Sequence, residues 1–360
     1  MESEYGMSLN KRDYPARHDG ADDVLWEPLW RLHTALRPVE RALLTCLPLR
    51  RLHFLHHGGG SFLSTYHMHS RLQHTLGVFS LIAHFVPDDD LLRVAALLHD
   101  VGHAPFCHAL ERLDGVDHHR WTVDRILSPP IDGILTGHNI DPRAVISRID
   151  GQPASCLRNG DGILHADHLD SWVRSAQAGG ILPLPAHRLL ARLRLSGPHL
   201  DTDIETAELL VDLIVAEARL HCSPSNVGTN ALLQHLVQQV LDAGLLTTDD
   251  LSKMTDNEVQ HILFETPVTA EEARRLWYQP YAIAVRRLEG ANVLPGACPV
   301  KIDRLYLDMP LVDGQPITRI SDHAAALVAE AQRWRGTYVV DWDVAGDGQK
   351  KRVQCRTGCR

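Results

Sequence analysis

Histidine is the residue type whose count and placement point to chemistry. The chain has 360 residues and 23 histidines, and twelve of these lie between His53 and His119. Imidazole is the commonest metal ligand and the side chain that titrates nearest to neutral pH. This segment therefore predicts a site that binds a metal ion or transfers protons.

Two imidazoles and two carboxylates are candidates for a metal-binding set: His74, the adjacent pair His99 and Asp100, and Asp167. Four such nitrogen and oxygen ligands suit a borderline or hard divalent cation and leave positions open for water and phosphate oxygens. Adjacent His and Asp residues cannot both point inward from a regular helix. They can do so if the helix ends there, and Gly102 supplies a permissive backbone just after the pair.

The alternative is that these histidines are ordinary core residues bonded to the backbone, which is the commoner role of a single His on an apolar helix. Here, however, the His99-Asp100 pair follows the stretch 91–98, in which every residue but Arg93 is apolar, and precedes His103 and His108. Burying so many polar groups without a shared role is costly. The pattern therefore favours a functional site over simple packing.

The elements that must position these residues are mostly helical. Apolar spacing predicts helices over 69–85 and 91–99. Further helices are predicted over 109–114, 118–128, 141–150, 160–177, 186–195, 204–222, 227–244, 248–263 and 269–288. Near the C-terminus, strand-like alternation at 302–308 and 337–343 flanks a helix at 321–335. The chain is therefore predicted to be mainly α, with an N-terminal arm (1–24), a helical catalytic domain (25–290) and a small mixed α/β C-terminal subdomain (291–360).

Composition excludes several classes of protein. No apolar stretch approaches the ~20 residues of a membrane span, and the charged N-terminus lacks the apolar region of a secretory signal. We therefore expect a cytoplasmic protein with no membrane partner. The net charge of −9 disfavours nucleic acid as a partner. Seven cysteines without a CxxC pair predict reduced thiols and disfavour a zinc ribbon.

Three stretches carry a resemblance to a known family. Residues 51–57 read RLHFLHH and resemble the entry motif RLRxIxQLG, residues 69–78 read HSRLQHTLGV and resemble H(T/N)RFEHSLGV, and residues 95–111 read AALLHDVGHAPFCHALE and resemble AALLHDIGHGPFSHxxE. The chain is thereby identified as similar to the HD-domain metal-dependent phosphohydrolase superfamily. It is most similar to the deoxynucleoside triphosphate triphosphohydrolase branch, which includes the animal sterile-alpha-motif/HD enzyme. The resemblance covers about 45–265 and implies an HD-domain helical bundle.

The resemblance implies a role for individual residues. The four metal ligands would be His74, His99, Asp100 and Asp167. Arg71 would hold phosphate oxygens, as an always-charged bidentate donor can. The groups implied in catalysis are His103 and His119 facing the phosphates, and His108 as general acid with Glu111 behind it. His118 is a rival to His119, since spacing alone does not separate neighbours. The resemblance also implies a homo-oligomer.

The residues expected around the substrate depart from the family pattern. Where the triphosphohydrolases read roughly DADRxDYxxRD, residues 167–175 read DHLDSWVRS. Asp170 and Arg174 match, but the family's basic residue has become His168, its tyrosine Ser171 and its final aspartate Ser175. The family's entry glutamine falls on His57. The substrate-binding residues implied are therefore His57, Arg71, His168, Ser171 and Arg174, and a changed set of this kind usually alters discrimination between substrates.

The function predicted is a metal-dependent phosphohydrolase acting on a nucleotide or a related phosphorylated small molecule. Deoxynucleoside triphosphates are one candidate substrate. The cofactor is a divalent ion, with Mn, Fe, Co, Ni, Mg and Zn all open. Two alternatives stay open: an HD-type di-iron oxygenase, which needs two further imidazole ligands for a second metal, and a non-catalytic, nucleotide-sensing regulatory HD protein.

Overall fold

The computed structural model describes residues 18–288 and 298–342, and these are mainly helical. Helices α1 to α15 are, in chain order, Pro38–Thr45, Leu47–Arg51, Arg71–Phe85, Asp90–Leu98, His118–Ile126, Ile131–Gly137, Pro142–Ile149, Ala166–Ala178, Ala186–Leu190, Ile204–His221, Pro224–Asp242, Thr248–Lys253, Asp256–Glu265, Ala270–Tyr278 and Asp322–Gln332. Strands β1 to β9 are Val24–Glu27, Leu32–Ala35, Arg194–Ser196, His199–Thr202, Ile283–Arg287, Cys298–Ile302, Leu311–Val312, Gln315–Pro316 and Gly336–Trp342. The predicted fold class, mainly α with a small α/β part, is confirmed.

Helix α3 is the central element, and it packs against both α4 and α8. It begins with a capping box in which Ser70 and Gln73 each satisfy the other's backbone N–H. All but three of its fifteen residues are buried, so the helix is enclosed by its neighbours rather than half exposed. Because neighbouring helices enclose α3 on several sides, a side chain of α3 can lie at the junction with those helices.

Helix α4 ends where the predicted ligand pair begins. Its N-cap Asp89 accepts a hydrogen bond from the N–H of Leu92, and the helix ends at Leu98. His99 and Asp100 lie in the turn that follows, at the place where adjacent side chains can both face one site. Gly102 is required in this turn, because a Cβ added there would lie 2.2 Å from the backbone nitrogen of Thr122.

The described strands form three small sheets, with strand orders β1-β2, β3-β4-β7-β8 and β5-β9-β6. Strand β7 joins β4 in parallel register, and α15 packs on α10. The α/β part near the C-terminus is thus joined to the helical body, and the boundary predicted at residue 290 separates β5 from its own partner β9. Residues 1–17 of the predicted arm lie outside the described residues.

Several details differ from the sequence prediction. The helix predicted over 109–114 is a short 3-10 turn at Cys107–Leu110, and the one predicted over 248–263 is divided into α12 and α13. The helix expected over 269–288 ends at Tyr278, two residues before Pro280, which lacks the N–H that a helix needs. The strand expected over 302–308 is β6 at Cys298–Ile302, and residues 303–308 continue as irregular chain. Cys298 is disulfide-bonded, so the expectation of reduced thiols is wrong there. Among the residues that the structure describes, the free thiols are Cys46, Cys107, Cys156 and Cys222.

None of the helices in the described part of the chain combines the length and the apolar character needed to cross a bilayer.

Candidate metal centre and active-site cavity

The four predicted metal ligands come together at the junction of α3, the end of α4 and the first turn of α8. The Nε2 atom of His74 lies 3.1 Å from Oδ1 of Asp167. The Nε2 atom of His99 lies 3.8 Å from the same oxygen and 3.4 Å from Oδ2 of Asp100. Residues separated by up to 93 positions in the chain thus present their ligand atoms to one point.

The donor atoms of the two histidines fit a bound cation. The Nδ1 atom of His99 bonds to the carbonyl of Ala96 at 2.8 Å, while its Nε2 is buried with no hydrogen-bond partner among the described residues. The Nδ1 of His74 bonds to Oδ2 of Asp170 at 2.9 Å. Each Nδ1 therefore carries a proton, which is the usual arrangement of metal-binding histidines. The Nε2 of His99 offers a lone pair, whereas the Nε2 of His74 donates to Oδ1 of Asp167 at 3.1 Å and offers a lone pair only once that proton is displaced.

The charges at this point support the same conclusion. Burial on its own would raise the pKa of Asp100 and Asp167, but the neighbouring histidines, with Arg71 beside Asp100, hold both far below the usual range. Burial would lower the pKa of His74, yet its hydrogen bonds to Asp167 and Asp170 raise it to about 9. The site is therefore built to attract a cation, and a cation must displace the proton of His74.

Asp170 holds His74 in place from behind. Its two oxygens accept hydrogen bonds from Nε1 of Trp30 at 2.7 Å, from Nδ1 of His74, and from Nε and Nη2 of Arg174 at 2.9 and 2.8 Å. A Cβ added at Gly77 would lie 1.9 Å from Oδ1 of Asp170. The absence of a side chain at Gly77 is therefore what lets α8 approach α3 closely enough for this contact.

Arg174, predicted to bind substrate, does not lie with the other predicted substrate-binding residues. Its guanidinium is buried and paired with Asp170 and with Oε1 of Glu27 at 2.9 Å. It lies outside the cavity that the other predicted residues share and borders a separate one with His69 and His187. Since both carboxylates already take its hydrogen bonds, Arg174 supports the metal ligand His74 through Asp170.

One cavity of about 430 Å³ opens onto the predicted metal centre. The predicted residues that line it are His57, Arg71, His99, Asp100, His103, His108, His119, Asp167, His168 and Ser171. The cavity is also lined by Arg158, Trp172, Arg304, Tyr306 and Asp308. Imidazole, guanidinium and aromatic groups in one cavity suit a ligand with an anionic part and a planar or apolar part.

Arg71 lines the cavity and is held there by three hydrogen bonds, one of them to the predicted metal ligand Asp100. Its Nη1 donates to Oδ2 of Asp100 at 2.9 Å, its Nη2 to the carbonyl of His57 at 3.1 Å and its Nε to Sγ of Cys107 at 3.3 Å. Burial and the charge of Arg71 lower the pKa of His57 well below its ordinary value, which keeps that imidazole neutral. Arg71 is therefore tied to Asp100 as well as facing the cavity.

A second cluster contains the predicted catalytic residues. The Nδ1 of His108 bonds to Oε1 of Glu111 at 2.8 Å, and His118 contacts the same oxygen. The ring of His103 stacks on that of His118 at 4.3 Å between centroids, and that of His119 lies 4.0 Å from His118. Both His118 and His119 line the cavity, but of the two it is His118 that contacts Glu111.

A third cluster could not be recognised from the sequence. Asp308 accepts a hydrogen bond from Nδ1 of His168 at 2.6 Å and lies 3.4 Å from Nε2 of His165. The HxxH spacing of the two histidines is visible in the sequence, but Asp308 lies 140 residues from His168 in a segment that reads as a strand. Tyr306 reaches the same wall, with its ring 5.4 Å from that of His168.

Comparison with known proteins agrees with this site. Residues 71–149 match the HD domain family, a range that contains His74, His99 and Asp100 and ends before Asp167. The uncharacterized protein YdhJ of Bacillus subtilis is 28% identical over 62% of this chain and 70% of its own. An uncharacterized MG461 homolog of Mycoplasma pneumoniae is 35% identical, but the match spans only 24% of that protein and 23% of this chain.

The fold recurs in a solved structure. A phosphohydrolase from Bacteroides thetaiotaomicron superposes with a TM-score of 0.69 at 15% identity, over 89% of this chain and 100% of the other. The likeness therefore extends well beyond residues 71–149. The match to the HD domain family is thus confined to residues 71–149, while the likeness to this solved structure is one of overall fold.

Proposed function

We propose that this protein is a metal-dependent phosphohydrolase that acts on a nucleotide or a related phosphorylated small molecule. The observation that supports this most strongly is the convergence of His74, His99, Asp100 and Asp167, where the buried Nε2 of His99 has no hydrogen-bond partner among the described residues. Arg71 and a group of imidazoles share the adjoining cavity. The fold shared with a solved phosphohydrolase supports the same reaction class.

The four ligands would hold one divalent cation. Such an ion supplies polarisation of a phosphoryl oxygen and lowers the pKa of bound water. Arg71 presents a fixed positive charge at the cavity wall, where negative charge develops on the phosphoryl oxygens. His103 lines the same cavity as Arg71 and is a further nitrogen donor there. Its Nε2 lies 3.2 Å from Oδ1 of Asp100.

The leaving oxygen needs a proton, and His108 is proposed to supply it. The side chain of His108 is 51% exposed and lines the cavity, so its ring can reach a substrate there. The carboxylate of Glu111 binds Nδ1 and orients the ring, which leaves Nε2 toward the cavity. His118 shares that carboxylate and is the neighbouring alternative for the same role.

Weak or absent triphosphohydrolase activity on the common deoxynucleotides is expected. His168 is engaged with Asp308, and Arg174 is buried in ion pairs. Ser175, which stands where relatives have an aspartate, is buried and donates to Glu217. The groups that bind a triphosphate and a deoxyribose in the triphosphohydrolases are thus replaced here or paired with other protein groups, while the proposed metal ligands are retained.

A nucleotide screen tests the proposal. Purified protein is supplied with Mn, Fe, Co, Ni, Mg or Zn, and phosphate, pyrophosphate and tripolyphosphate release is measured for nucleoside mono-, di- and triphosphates. Turnover that is lost in His99→Ala and Asp100→Ala but kept in His138→Ala, an exposed histidine outside the cavity, is the expected result. No turnover with any metal would refute the hydrolase and favour a nucleotide-sensing regulatory protein, which a binding assay on the same nucleotides would reveal.

A second candidate function, a di-iron oxygenase, has one observation in its favour. Asp100 lies between the other three proposed metal ligands and the second cluster. Its Oδ2 faces Nε2 of His99, while its Oδ1 is 3.2 Å from Nε2 of His103. A carboxylate so placed is able to bridge two ions. Two irons per chain together with oxygen consumption would favour the oxygenase, whereas phosphate release without oxygen uptake would favour the hydrolase.

We further propose that the protein is cytoplasmic and forms a homo-oligomer. Fractionation of cells that express the tagged chain tests the first point, and light scattering on the purified protein tests the second.

A further inference from the structure

We propose that His165, His168 and Asp308 form a second divalent-cation site in the wall of the same cavity. The three ligand atoms all lie within 4.8 Å of one another. Two imidazole nitrogens and one carboxylate oxygen suit a borderline cation such as Zn²⁺, Co²⁺, Ni²⁺ or Fe²⁺. This site does not depend on the proposed hydrolase activity.

The site is separate from the His74 centre although the two are neighbours. Asp167 and His168 are consecutive residues of α8, and consecutive side chains of a helix point about 100° apart. Asp167 turns toward His74 and His99, whereas His168 turns toward Asp308. One helical turn therefore supplies ligands to two different points.

The backbone holds the three ligands at fixed positions. His165 is the N-cap of α8, and only 6% of the residue is exposed. Asp308 precedes Met309, whose carbonyl accepts from the N–H of Leu164 and whose N–H donates to the carbonyl of Gly162, both at 2.9 Å. These backbone hydrogen bonds hold Asp308 beside His165. The ligands are therefore preorganised, and cation binding would require little rearrangement of the protein.

Without a cation, hydrogen bonds occupy the same atoms. The carboxylate of Asp308 accepts from His168 at 2.6 Å and faces Nε2 of His165 at 3.4 Å. A cation would replace the protons on these two nitrogens. The only further bond that His165 would lose is its cap contact with the N–H of His168, which at 3.5 Å is at the limit of a hydrogen bond.

Three protein ligands leave coordination positions open, as in catalytic rather than structural zinc sites. All three residues line the cavity, beside Trp172 and Tyr306. The open positions therefore face the space that a substrate would fill. If the hydrolase proposal holds, an ion here would bind a substrate oxygen remote from the scissile phosphate, in place of the basic side chain that relatives carry at His168.

Metal content per chain tests the site directly. The metal-free protein is loaded with Co²⁺ or Zn²⁺, freed of excess ion by gel filtration and analysed by plasma mass spectrometry. Wild type should hold two ions. His168→Ala and the isosteric Asp308→Asn should hold one, His99→Ala should hold one, and His99→Ala combined with Asp308→Asn should hold none. His199→Ala, which removes a surface imidazole paired with Asp161, should keep two.

The same measurement can overturn the proposal. Wild-type content in both His168→Ala and Asp308→Asn would show that no ion binds there, and so would a wild-type protein that holds a single ion lost in His99→Ala. Loss of the second ion in His118→Ala, with Asp308→Asn unaffected, would place that ion at the Glu111 cluster instead. Urea unfolding of each variant ensures that only folded protein is compared. Two bound ions with no turnover in the nucleotide screen would refute the hydrolase and leave this site standing.

Discussion

Replacing Asp170 by Asn tests whether a residue that binds no metal nevertheless controls the metal centre. Asp170 is fully buried, and its Oδ2 accepts from Nδ1 of His74 and Nε of Arg174. In the Asn variant an oxygen can still serve Trp30 and Nη2 of Arg174, but an amide NH₂ replaces Oδ2. That NH₂ opposes the Nε–H of Arg174 and favours the tautomer of His74 that carries its proton on Nε2, the atom that should bind metal.

The magnitude follows from the bonds that are lost. Two hydrogen bonds to charged groups, at about 1.5–3 kcal/mol each, predict that the free energy of unfolding falls by about 3–6 kcal/mol. Breaking a buried ion pair costs a similar amount, about 3–5 kcal/mol. The carboxylate behind a metal-binding histidine contributes a factor of about 10 to 100 in metal affinity. Asp170→Asn should therefore weaken metal binding by that factor, in addition to lowering stability.

Glu27→Gln is the matched control. Glu27 is also buried, and it also accepts a hydrogen bond from Nη2 of Arg174, but it does not contact His74. Metal affinity is measured by chelator competition and stability by urea unfolding of the metal-free protein. Glu27→Gln should lose stability and keep its metal affinity. Equal losses of affinity in both variants would show that general loosening, not the orientation of His74, is responsible, and unchanged affinity in Asp170→Asn would refute the reasoning outright.

Three further predictions concern the same centre. Because protonated His74 cannot bind metal and its pKa is raised to about 9, apparent metal affinity should fall by up to about tenfold per pH unit as the pH drops below 9; an affinity that is flat between pH 7 and 9 by chelator competition would contradict this. Arg71→Ala should lower turnover by ~10²-fold or more and, because Arg71 also binds Asp100, should weaken metal binding as well; metal analysis that shows full occupancy would confine Arg71 to the substrate. Gly77→Ala should separate α3 from α8, since its Cβ would lie 1.9 Å from Asp170, and should lower both the unfolding midpoint and metal content; wild-type values for both would disprove the need for this close approach.

Local sequence could predict most of the helices and the turn that brings His99 and Asp100 to one site, for definite reasons. The apolar run before His99 requires a buried helix, and Gly102 permits the turn that lets His99 and Asp100 face one site. The pairing of His74 with Asp167 depends on the family motif, because no local sequence pattern indicates that two residues 93 positions apart in the chain are in contact. The comparison with the HD domain family and the fold shared with a solved phosphohydrolase support that resemblance.

The sequence could not show which of the residues that match the family motif face the cavity. Arg174 matches the family motif, yet its neighbours Glu27 and Asp170 take its hydrogen bonds and remove it from the cavity. Likewise the HxxH pair of His165 and His168 acquires its carboxylate only because β7 joins β4 and carries the preceding segment, with Asp308, across the start of α8.

The division has a physical cause. Helix periodicity, caps and the His-Asp turn depend on residues a few positions apart, and the sequence by itself determined them. Whether a charged side chain faces the cavity or the core depends on which distant group satisfies it, because a buried charge must be paired. For Arg174 and Asp308 that partner was chosen by the packing of helices and sheets, and only the tertiary structure decided it.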